Sequence, residues 1–504
     1  MVSGSPSDPD DLAGPAVRYP AAGMRNSRPM ETPTQLLHRL TSYEPGREWD
    51  VPIDDPRVRQ DLVVNDVARL PWFFKRYPEP HPTLALPRDL PTTTATAVDV
   101  LAGIAVVPVG DLDLGALARL LYLCSGVVRT TERPYGTYLF RSAGSAGGRF
   151  PLEVYVAVPD GSTLPAGVHW YDPLDHALVQ VGPAPRGDAP AIVVTGVPWR
   201  TGWRYAERGY RHVYWDAGTM TAQLLAAADS AGLTAHLVTR FPDSDVASLV
   251  GADRVQEFPV AVIGLADGAL ALEATGAAAY GAVDAEPVEL PLATAAHRAG
   301  DLDSLGDPWV RGAPVAVAEH GHAPVEDVVL ARGSQRRMDA TRGVSGVLLR
   351  TCLDVALRGI DLTHYLVVHD VDGLAQGVYR WPDLEAPTTS GDLRDELFRV
   401  CLDQELGRDA AFVVIAVTDV SALDDRSYRD AQYAAGIVEG RLHLLAYSLG
   451  ASASGMTFLD SEVPALVGAD VDTLLFTCVG VPDYRSTPGG PPGQPTQIRM
   501  VTRR

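Results

Sequence analysis

Two segments of the chain carry residue types that could bind a phosphate or a planar ring. The first, Arg141-Ser-Ala-Gly-Ser-Ala-Gly-Gly-Arg-Phe-Pro-Leu-Glu153, is rich in glycine; without Cβ atoms its backbone amides can approach a ligand closely, and Ser145 adds a hydroxyl. The second, Val328 to Arg337, holds three arginines and a serine, and arginine forks bind phosphate oxygens in pairs. Taken singly, an ordinary turn and a solvated basic face are the alternatives.

A segment from the middle of the chain returns near its end. Arg208-Gly-Tyr-Arg-His-Val-Tyr-Trp-Asp-Ala-Gly218 is matched by Arg426-Ser-Tyr-Arg-Asp-Ala-Gln-Tyr-Ala-Ala-Gly436, and a helical run follows each copy. The offset is constant, since 426 minus 208 and 436 minus 218 both give 218. That constancy indicates a duplicated domain. A fused pair of domains can lose one site in each half and keep one composite site between them.

The elements that must position these segments recur in the same order in both halves. Apolar residues at helical spacing and runs rich in β-branched residues predict an α+β fold. Its two long, mostly apolar helices are expected to be buried between the halves. The predicted elements are helix 114–128, strands 153–158, 191–195 and 260–264 and helix 216–231 in the first half, and helix 344–357, strands 365–368, 412–416 and 474–480 and helix 428–449 in the second.

Composition divides the chain into six segments. Ser, Pro, Asp and Gly dominate the start, which we expect to be disordered, and a stretch rich in Pro, Gly, Asp and Ala separates the halves. The predicted segments are a disordered tail 1–33, an N-terminal arm 34–90, a first domain 91–283, a linker 284–325, a second domain 326–485 and a C-terminal tail 486–504.

Charge and cysteine content exclude several classes of function. The net charge of -21, from 63 acidic and 42 basic residues, argues against a nucleic-acid or membrane surface, because phosphates demand clustered Lys and Arg. Without an apolar stretch of about 18 residues, a cytoplasmic protein is expected. Four scattered cysteines indicate buried thiols, and Glu319-His-Gly-His322 offers too few ligands for a metal site. Small molecules or peptides are the expected partners.

Read together with the N-terminal arm, the two chemical segments resemble a known family. Arg141 to Tyr155 resembles the Pro-Ser-Ala-Gly stretch before the Pro-Leu-Glu-x-Tyr strand of SagB-type dehydrogenases, flavoproteins of the nitroreductase-like fold. Arg332-Gly-Ser-Gln-Arg336 resembles that fold's Arg-Arg-Ser-x-Arg signature, which binds the FMN phosphate. Leu37 to Thr41 and Phe74 to Pro78 resemble the family's N-terminal segment. The resemblance implies FMN as the cofactor and two tandem nitroreductase-like domains that form a pseudo-dimer within one chain.

The resemblance also implies a single flavin site. In this fold FMN lies at a dimer interface, with the arginine signature from one subunit and the serine-glycine loop from the other. This chain has the loop only in its first half and the signature only in its second, because Ala97 to Val106 lacks the arginines and Leu357 to Tyr365 is too short for the loop. The expected cofactor-binding residues are therefore Ser145, Ala146, Gly147, Arg332, Ser334 and Arg336.

Other positions carry over from the same resemblance. Ser454 and Gly455 follow the long helix of the second half, where the family presents backbone amides to the N5 side of the flavin, and a plain loop after the helix is the alternative. Arg485 and Arg499 are candidates for a further phosphate contact, with a surface role as the alternative.

The expected catalytic residues precede the long helix of the first half. Trp203-Arg-Tyr-Ala-Glu-Arg-Gly-Tyr210 resembles the family's Lys-Tyr-Gly-Glu-Arg-Gly-Tyr segment, whose Lys-Tyr pair is implicated in catalysis by azoline-oxidising members. Arg204 replaces the lysine, and a guanidinium does not deprotonate in proteins. Tyr205 is therefore the expected proton acceptor, with Arg204 holding a substrate carbonyl or lowering the pKa of Tyr205. A packing role for Tyr205 is the alternative.

The function implied by the resemblance is an FMN-dependent dehydrogenase. It would oxidise thiazoline or oxazoline rings of a ribosomally made precursor peptide to thiazoles or oxazoles, and a separate cyclodehydratase would form those rings. Because the fusion supplies its own interface, a monomer is expected. Two alternatives stay open. One is a nitroreductase-like FMN oxidoreductase acting on a small secondary metabolite, and the other is a non-catalytic protein that docks the precursor peptide.

Overall fold

Runs of β-branched residues form two antiparallel sheets, and amphipathic or apolar segments form the helices that cover them. The computed structural model describes residues 31–48, 55–59 and 61–502. In these residues the α-helices are α1 Pro33–Leu40, α2 Ala97–Ala102, α3 Leu114–Ser125, α4 Pro198–Tyr205, α5 Gly209–Ser230, α6 Asp243–Val250, α7 Pro291–Ala299, α8 Val325–Ala331, α9 Gly346–Ala356, α10 Arg394–Val400, α11 Glu405–Asp409, α12 Asp425–Ser448 and α13 Val463–Val467.

The strands are likewise spread over the whole described chain. They are β1 Thr83–Ala85, β2 Val127–Arg133, β3 Gly136–Arg141, β4 Leu152–Val158, β5 Gly167–Asp172, β6 Ala177–Gly182, β7 Ala191–Gly196, β8 His236–Val238, β9 Phe258–Gly264, β10 Thr363–Val368, β11 Gly377–Arg380, β12 Thr389–Ser390, β13 Phe412–Thr418, β14 Ser452–Met456, β15 Asp472–Gly480 and β16 Thr496–Gln497.

The two large sheets share one strand order. The first sheet runs β1-β6-β5-β4-β7-β9-β8, and the second runs β12-β11-β10-β13-β15-β14. The strand that precedes the long helix pairs with the last strand of the same half, β7 with β9 and β13 with β15. The short strand that follows the long helix, β8 or β14, forms an edge of its sheet. Neighbours in these two sheets pair antiparallel throughout. A third, small sheet, β16-β2-β3, brings the C-terminal segment onto the first half.

The long helices α5 and α12 pack directly against each other, and small residues allow their close approach. A Cβ added to Gly218 would lie 2.3 Å from the carbonyl oxygen of Tyr433, and one added to Gly436 would lie 2.4 Å from that of Trp215. Thr219 Oγ1 donates to the Gly436 carbonyl oxygen at 3.1 Å. Glycine is required at these two repeat positions because backbone meets backbone there.

Two buried ion clusters tie the halves together reciprocally. Asp460, which follows β14, accepts hydrogen bonds from Nη1 of Arg208 at 2.7 Å and of Arg211 at 2.8 Å. Asp243, which follows β8, accepts hydrogen bonds from Nη1 of Arg426 at 3.0 Å and of Arg429 at 2.7 Å. The arginine pairs are 218 residues apart and the aspartates 217, so each half supplies arginines to the other's carboxylate.

Most predicted elements have counterparts within a few residues, and three segments differ. The first-half helix begins at Gly209 rather than at 216, because its first two turns bury polar residues that hide the apolar period. The segment after α12, for which a plain loop was the alternative and no strand was predicted, forms strand β14 paired with β15. The predicted linker 284–325 contains helix α7, which buries Leu292, Ala293 and Ala296.

The predicted tails are described only in part. The tail 1–33 lies outside the described residues up to position 30, and Pro33 already begins α1. The C-terminal tail 486–504 contains β16, which pairs parallel with β2. All four cysteines are free and buried. No helix among residues 31–48, 55–59 and 61–502 is long and apolar enough to cross a membrane.

Candidate functional site

The glycine-rich loop lies between β3 and β4, and the carboxyl group of Asp216 on α5 fixes it. Ser145 Oγ donates to Asp216 Oδ2 at 2.5 Å, and the backbone amide of Ala146 donates to Asp216 Oδ1 at 2.9 Å. The Phe150 amide donates to Ser145 Oγ at 2.7 Å. The serine hydroxyl is thus held by two partners, and the loop has one defined position on the helix.

The same loop contacts the two residues expected to be catalytic. Gly147 has φ of +59°, and a Cβ placed there would lie 2.5 Å from Cδ of Arg204 and 2.8 Å from Oη of Tyr205. Only glycine fits, because both the backbone conformation and the space exclude a side chain. The structure therefore brings Gly147, Arg204 and Tyr205 together.

Tyr205 and Arg204 differ in their surroundings. The buried ring of Tyr205 stacks on His212 with ring centroids 4.0 Å apart. Burial, followed by the charge of Arg208, holds the pKa of His212 well below its ordinary value, so this imidazole is neutral near pH 7. Arg204 is half-buried, with Nη1 3.5 Å from Oδ1 of Asn65. A neutral ring lies under the tyrosine and a fixed positive charge beside it.

Arg332 crosses from the second half to the loop of the first. Its Nη2 donates to the carbonyl oxygen of Ser142, and its Nε donates to Gln223 Oε1 at 3.3 Å. Its Nη1 lies 3.3 Å from Nδ1 of His443. A Cβ on Gly144 would lie 3.5 Å from the same Nη1, so the guanidinium rests against the loop backbone. The arginine segment and the glycine-rich loop thus meet at one point.

Burial dominates the electrostatics around this junction. It lowers the pKa of Arg332 to about 10, with the charge of Arg129 adding to the effect. Burial raises the pKa of Asp216 to about 8 and that of Glu439 to about 7, and it lowers that of His443 to about 3. Perturbed carboxyl groups of this kind concentrate at functional sites.

No carboxylate in the described residues accepts a hydrogen bond from the Arg332 guanidinium, although the side chain is buried. Ser142 Oγ beside it is buried without a hydrogen-bond partner in the same part of the chain. A buried cation without an ion pair and an unsatisfied hydroxyl are costly unless a ligand completes them. Their chemistry suits an anionic or acceptor-rich group.

The expected donors on β14 lie next to Glu439. Ser454 is buried, and its Oγ lies 3.5 Å from the Gly455 carbonyl oxygen. A Cβ on Gly455 would lie 2.3 Å from Glu439 Oε1, and the Gly455 amide hydrogen-bonds this carboxyl group. Glu439 in turn receives a hydrogen bond of 3.4 Å from Thr219. The backbone here approaches α12 as closely as a glycine allows.

The remaining predicted residues lie at the outer end of the arginine segment. Ser334 and Arg485 are exposed, and Arg499 is exposed on the C-terminal segment. Arg336 is half-buried, its Nη1 donating to the Val501 carbonyl oxygen at 3.1 Å and its amide to Tyr484 Oη at 3.2 Å. These side chains are thus placed on the rim, whereas Arg332 is placed inside.

Several polar residues of this site were not predicted. They share a position inside the buried long helices and are Asp216, Gln223, Glu439 and His443. The sequence could have indicated them, because burying a polar group costs free energy unless it has a hydrogen-bond partner or a ligand. Polar residues within a mostly apolar helix are therefore candidates for a site. Among residues 31–48, 55–59 and 61–502, no group of three or more His, Cys, Asp or Glu is arranged to hold a metal ion.

Known proteins share this fold. Residues 183–267, from the end of β6 to the segment after β9, match the nitroreductase family. A protein of Methanocaldococcus jannaschii named as a nitroreductase is 28% identical over 164 residues, which cover 30% of this chain and 78% of that protein.

One solved structure extends the likeness over most of the chain. A protein of Anabaena variabilis described as a nitroreductase superposes with a TM-score of 0.68 at 24% identity, over 90% of this chain and all of its own. The microcin synthetase complex of E. coli covers 43% of this chain and 77% of its own chain at 19% identity, with a TM-score of 0.26. The fold assignment therefore rests on the Anabaena structure. The chain has the nitroreductase-like fold and contains a segment that matches the nitroreductase family.

Proposed function

We propose that this protein is an FMN-dependent oxidoreductase with one composite flavin site per chain. The observation that carries the proposal is the contact of Arg332 with Ser142, through which the arginine segment of one half reaches the glycine-rich loop of the other. The shared strand order and the reciprocal ion clusters support two tandem nitroreductase-like domains that form an intrachain pseudo-dimer.

The residues present fit FMN. Ser142 Oγ and the Arg332 guanidinium are buried groups that an acceptor-rich ligand would complete, and glycines at 144 and 147 keep the loop backbone free of side chains. Ser334, Arg336 and Arg485 at the rim would hold the phosphate, because hydroxyls and guanidinium groups are its ordinary donors. Ser145, Ala146, Gly147, Ser454 and Gly455 would line the ring system. When bound, FMN supplies a hydride acceptor.

The described residues, 31–48, 55–59 and 61–502, supply the parts of one such site. Gly103 follows α2 in the first half at the position that Arg332 takes after α8 in the second half. The first half therefore supplies no guanidinium group at that position. In the second half, α9 ends at Ala356 and β10 begins at Thr363, which leaves no hairpin and no glycine-rich loop. One flavin per chain is the expected stoichiometry.

For the substrate, we propose a thiazoline or oxazoline ring in a ribosomally made precursor peptide. Tyr205 Oη lies against the glycine-rich loop and would take the proton from the ring α-carbon. Arg204 would hold a substrate carbonyl and favour the tyrosinate, because a nearby positive charge lowers the pKa of a phenol. A separate cyclodehydratase would supply the ring, and the chain would act in the cytoplasm as a monomer.

A second candidate is an FMN oxidoreductase acting on a small secondary metabolite. The observation that favours it is Arg204, whose guanidinium occupies the place where the azoline-oxidising family has a lysine and cannot act as a base. Turnover that requires a nicotinamide would support this candidate, whereas turnover of an azoline peptide with oxygen alone would support the first.

The test is the visible spectrum of the purified protein with released flavin counted per chain. We expect one FMN, lost or strongly reduced in Ser145→Ala and Arg336→Ala and retained in Arg342→Gln, which changes an exposed arginine six residues beyond the signature. Two FMN per chain would contradict the composite site. Protein that neither contains nor takes up FMN would make the peptide-docking alternative the better one.

A further inference from the structure

A cavity lies at the C-terminal end of α5, away from the residues described so far. Its volume is about 320 Å³, at the small end of the range of ligand sites. The lining combines apolar side chains with charged ones. The residues that matter are Val100, Gly103, Asp229, Leu233, Arg311 and Arg358.

The cavity occupies a place equivalent to the proposed flavin site. Gly232 and Gly450 each lie two residues after the end of a long helix and are 218 residues apart. Gly103 follows α2 as Arg332 follows α8. Arg358 lies two residues after the end of α9, at the point where the first half inserts the β2–β3 hairpin and the glycine-rich loop after α3. The cavity thus lies at the position in the repeat that corresponds to the proposed flavin site, where this chain lacks the flavin-binding segments.

Its charged lining holds more positive than negative charge. Arg311 forms a two-point ion pair with Asp229, with Nη1 2.8 Å from Oδ1 and Nη2 2.5 Å from Oδ2. The guanidinium of Arg358 donates no hydrogen bond to any described residue, and its Nε is buried without a partner. Arg441 behind it donates to the carbonyl oxygens of Ala356 and Arg358. The lining therefore holds two guanidinium groups, of Arg311 and Arg358, and one carboxylate, of Asp229.

A close fit holds Arg358 in this position. A Cβ on Gly103 would lie 2.0 Å from Nη1 of Arg358, so the guanidinium lies against the helix end of α2. Burial lowers the pKa of Arg358, and the charge of Arg311 lowers it further. An incoming anion would relieve both effects, because it replaces the lost hydration and screens the two cations.

We propose that this cavity binds a small organic anion that joins one phosphate or carboxylate group to an apolar body. The anionic group would bind Arg358, which offers a guanidinium fork without a competing partner. The apolar body would lie against Val100, Ala105 and Leu233. The ligand is smaller than a flavin nucleotide, and the proposal does not depend on the flavin site.

The test is isothermal titration of the full chain with phenyl phosphate. We expect saturable binding of one molecule per chain and weaker binding of inorganic phosphate, which lacks the apolar part. Arg358→Gln should weaken phenyl phosphate binding roughly 10- to 100-fold, the range for one hydrogen-bonded charge. Arg350→Gln, which changes an exposed arginine on α9, should leave it unchanged.

A second variant tests the same cavity without changing Arg358, in case Arg358→Gln impairs folding. Ala105→Trp fills the cavity and should abolish phenyl phosphate binding, with the FMN content equal to that of the unaltered protein. Absence of saturable binding at millimolar phenyl phosphate would overturn the proposal. So would equal losses in the Arg350 and Arg358 variants, or competition between phenyl phosphate and a second FMN. If the unaltered protein binds phenyl phosphate but contains no FMN, the proposed flavin site is wrong and the proposed anion site stands.

Discussion

Arg332 Nη2 donates a hydrogen bond to the backbone carbonyl of Ser142, and this bond joins the two halves of the chain at the candidate site. The guanidinium is buried among a carbonyl, an amide and an imidazole rather than beside a carboxylate to which it could donate. A positive charge placed in this way is prepared for an anionic or acceptor-rich ligand. The contact makes the site a property of both halves, since neither holds all of its donors.

The first prediction concerns Arg332 itself. Arg332→Gln should reduce bound FMN at least about tenfold, because a charge-assisted donor to the ligand contributes about 1.5–3 kcal/mol. Flavin released by heating and quantified per chain measures this. The exposed Arg342→Gln serves as the matched control. Equal flavin contents in the two variants would show that Arg332 has only a structural role.

The second prediction concerns the pH dependence of stability. Burial raises the pKa of Asp216 to about 8, so the folded protein keeps this proton after the unfolded chain has lost it. Stability is therefore lost as pH rises towards about 8, by at most about 1.4 kcal/mol per pH unit. Asp216→Asn removes this effect and keeps an acceptor for the Ala146 amide.

Urea unfolding between about pH 5 and about pH 8 checks this prediction. The stability of Asp216→Asn relative to the unaltered protein should increase with pH. Asp303→Asn, at an exposed position, should give a curve parallel to that of the unaltered protein. A constant difference between Asp216→Asn and the unaltered protein over the whole range would rule out a raised pKa at Asp216.

The third prediction separates catalysis from packing at Tyr205. Tyr205→Phe keeps the ring that stacks on His212 and removes only the hydroxyl. With an azoline peptide as substrate, kcat should fall on the order of 100-fold while flavin content stays unchanged, because a positioned proton acceptor contributes that much. Oxygen consumption measures the rate. Full activity would mean that this tyrosine is a packing residue.

The fourth prediction uses the reciprocal ion clusters. Asp460→Asn and Asp243→Asn each leave two buried arginines without their carboxylate, and each should cost about 3–5 kcal/mol of unfolding free energy. Denaturant unfolding should place the two variants within about 1 kcal/mol of each other if the clusters are equivalent. Glu273→Gln, which breaks the exposed pair with Arg186, should cost less than about 1 kcal/mol.

Much of the fold followed from local patterns. The β-branched runs at 153–158 and 412–416 became the central strands β4 and β13, because such residues pack well on a pleated sheet buried on both faces. The constant offset of 218 located α5 and α12 before any contact was known. The start of α5 was not predicted, because its first turns bury polar residues. Strand β14 was not predicted either, because it forms by pairing with β15 rather than from a local preference.

The sequence alone determined the repeated arrangement, the glycine-rich loop and the arginine segment, since each is a matter of residue type and spacing. Tertiary structure decided that Arg332 reaches Ser142, that Asp216 holds Ser145, and that Arg358 faces a cavity instead of a loop. Ser145 and Asp216 are 71 positions apart in the sequence, and Arg358 is 255 positions from Gly103, against which it packs. No local pattern encodes such pairings, because they arise only when the two long helices pack and bring both halves together.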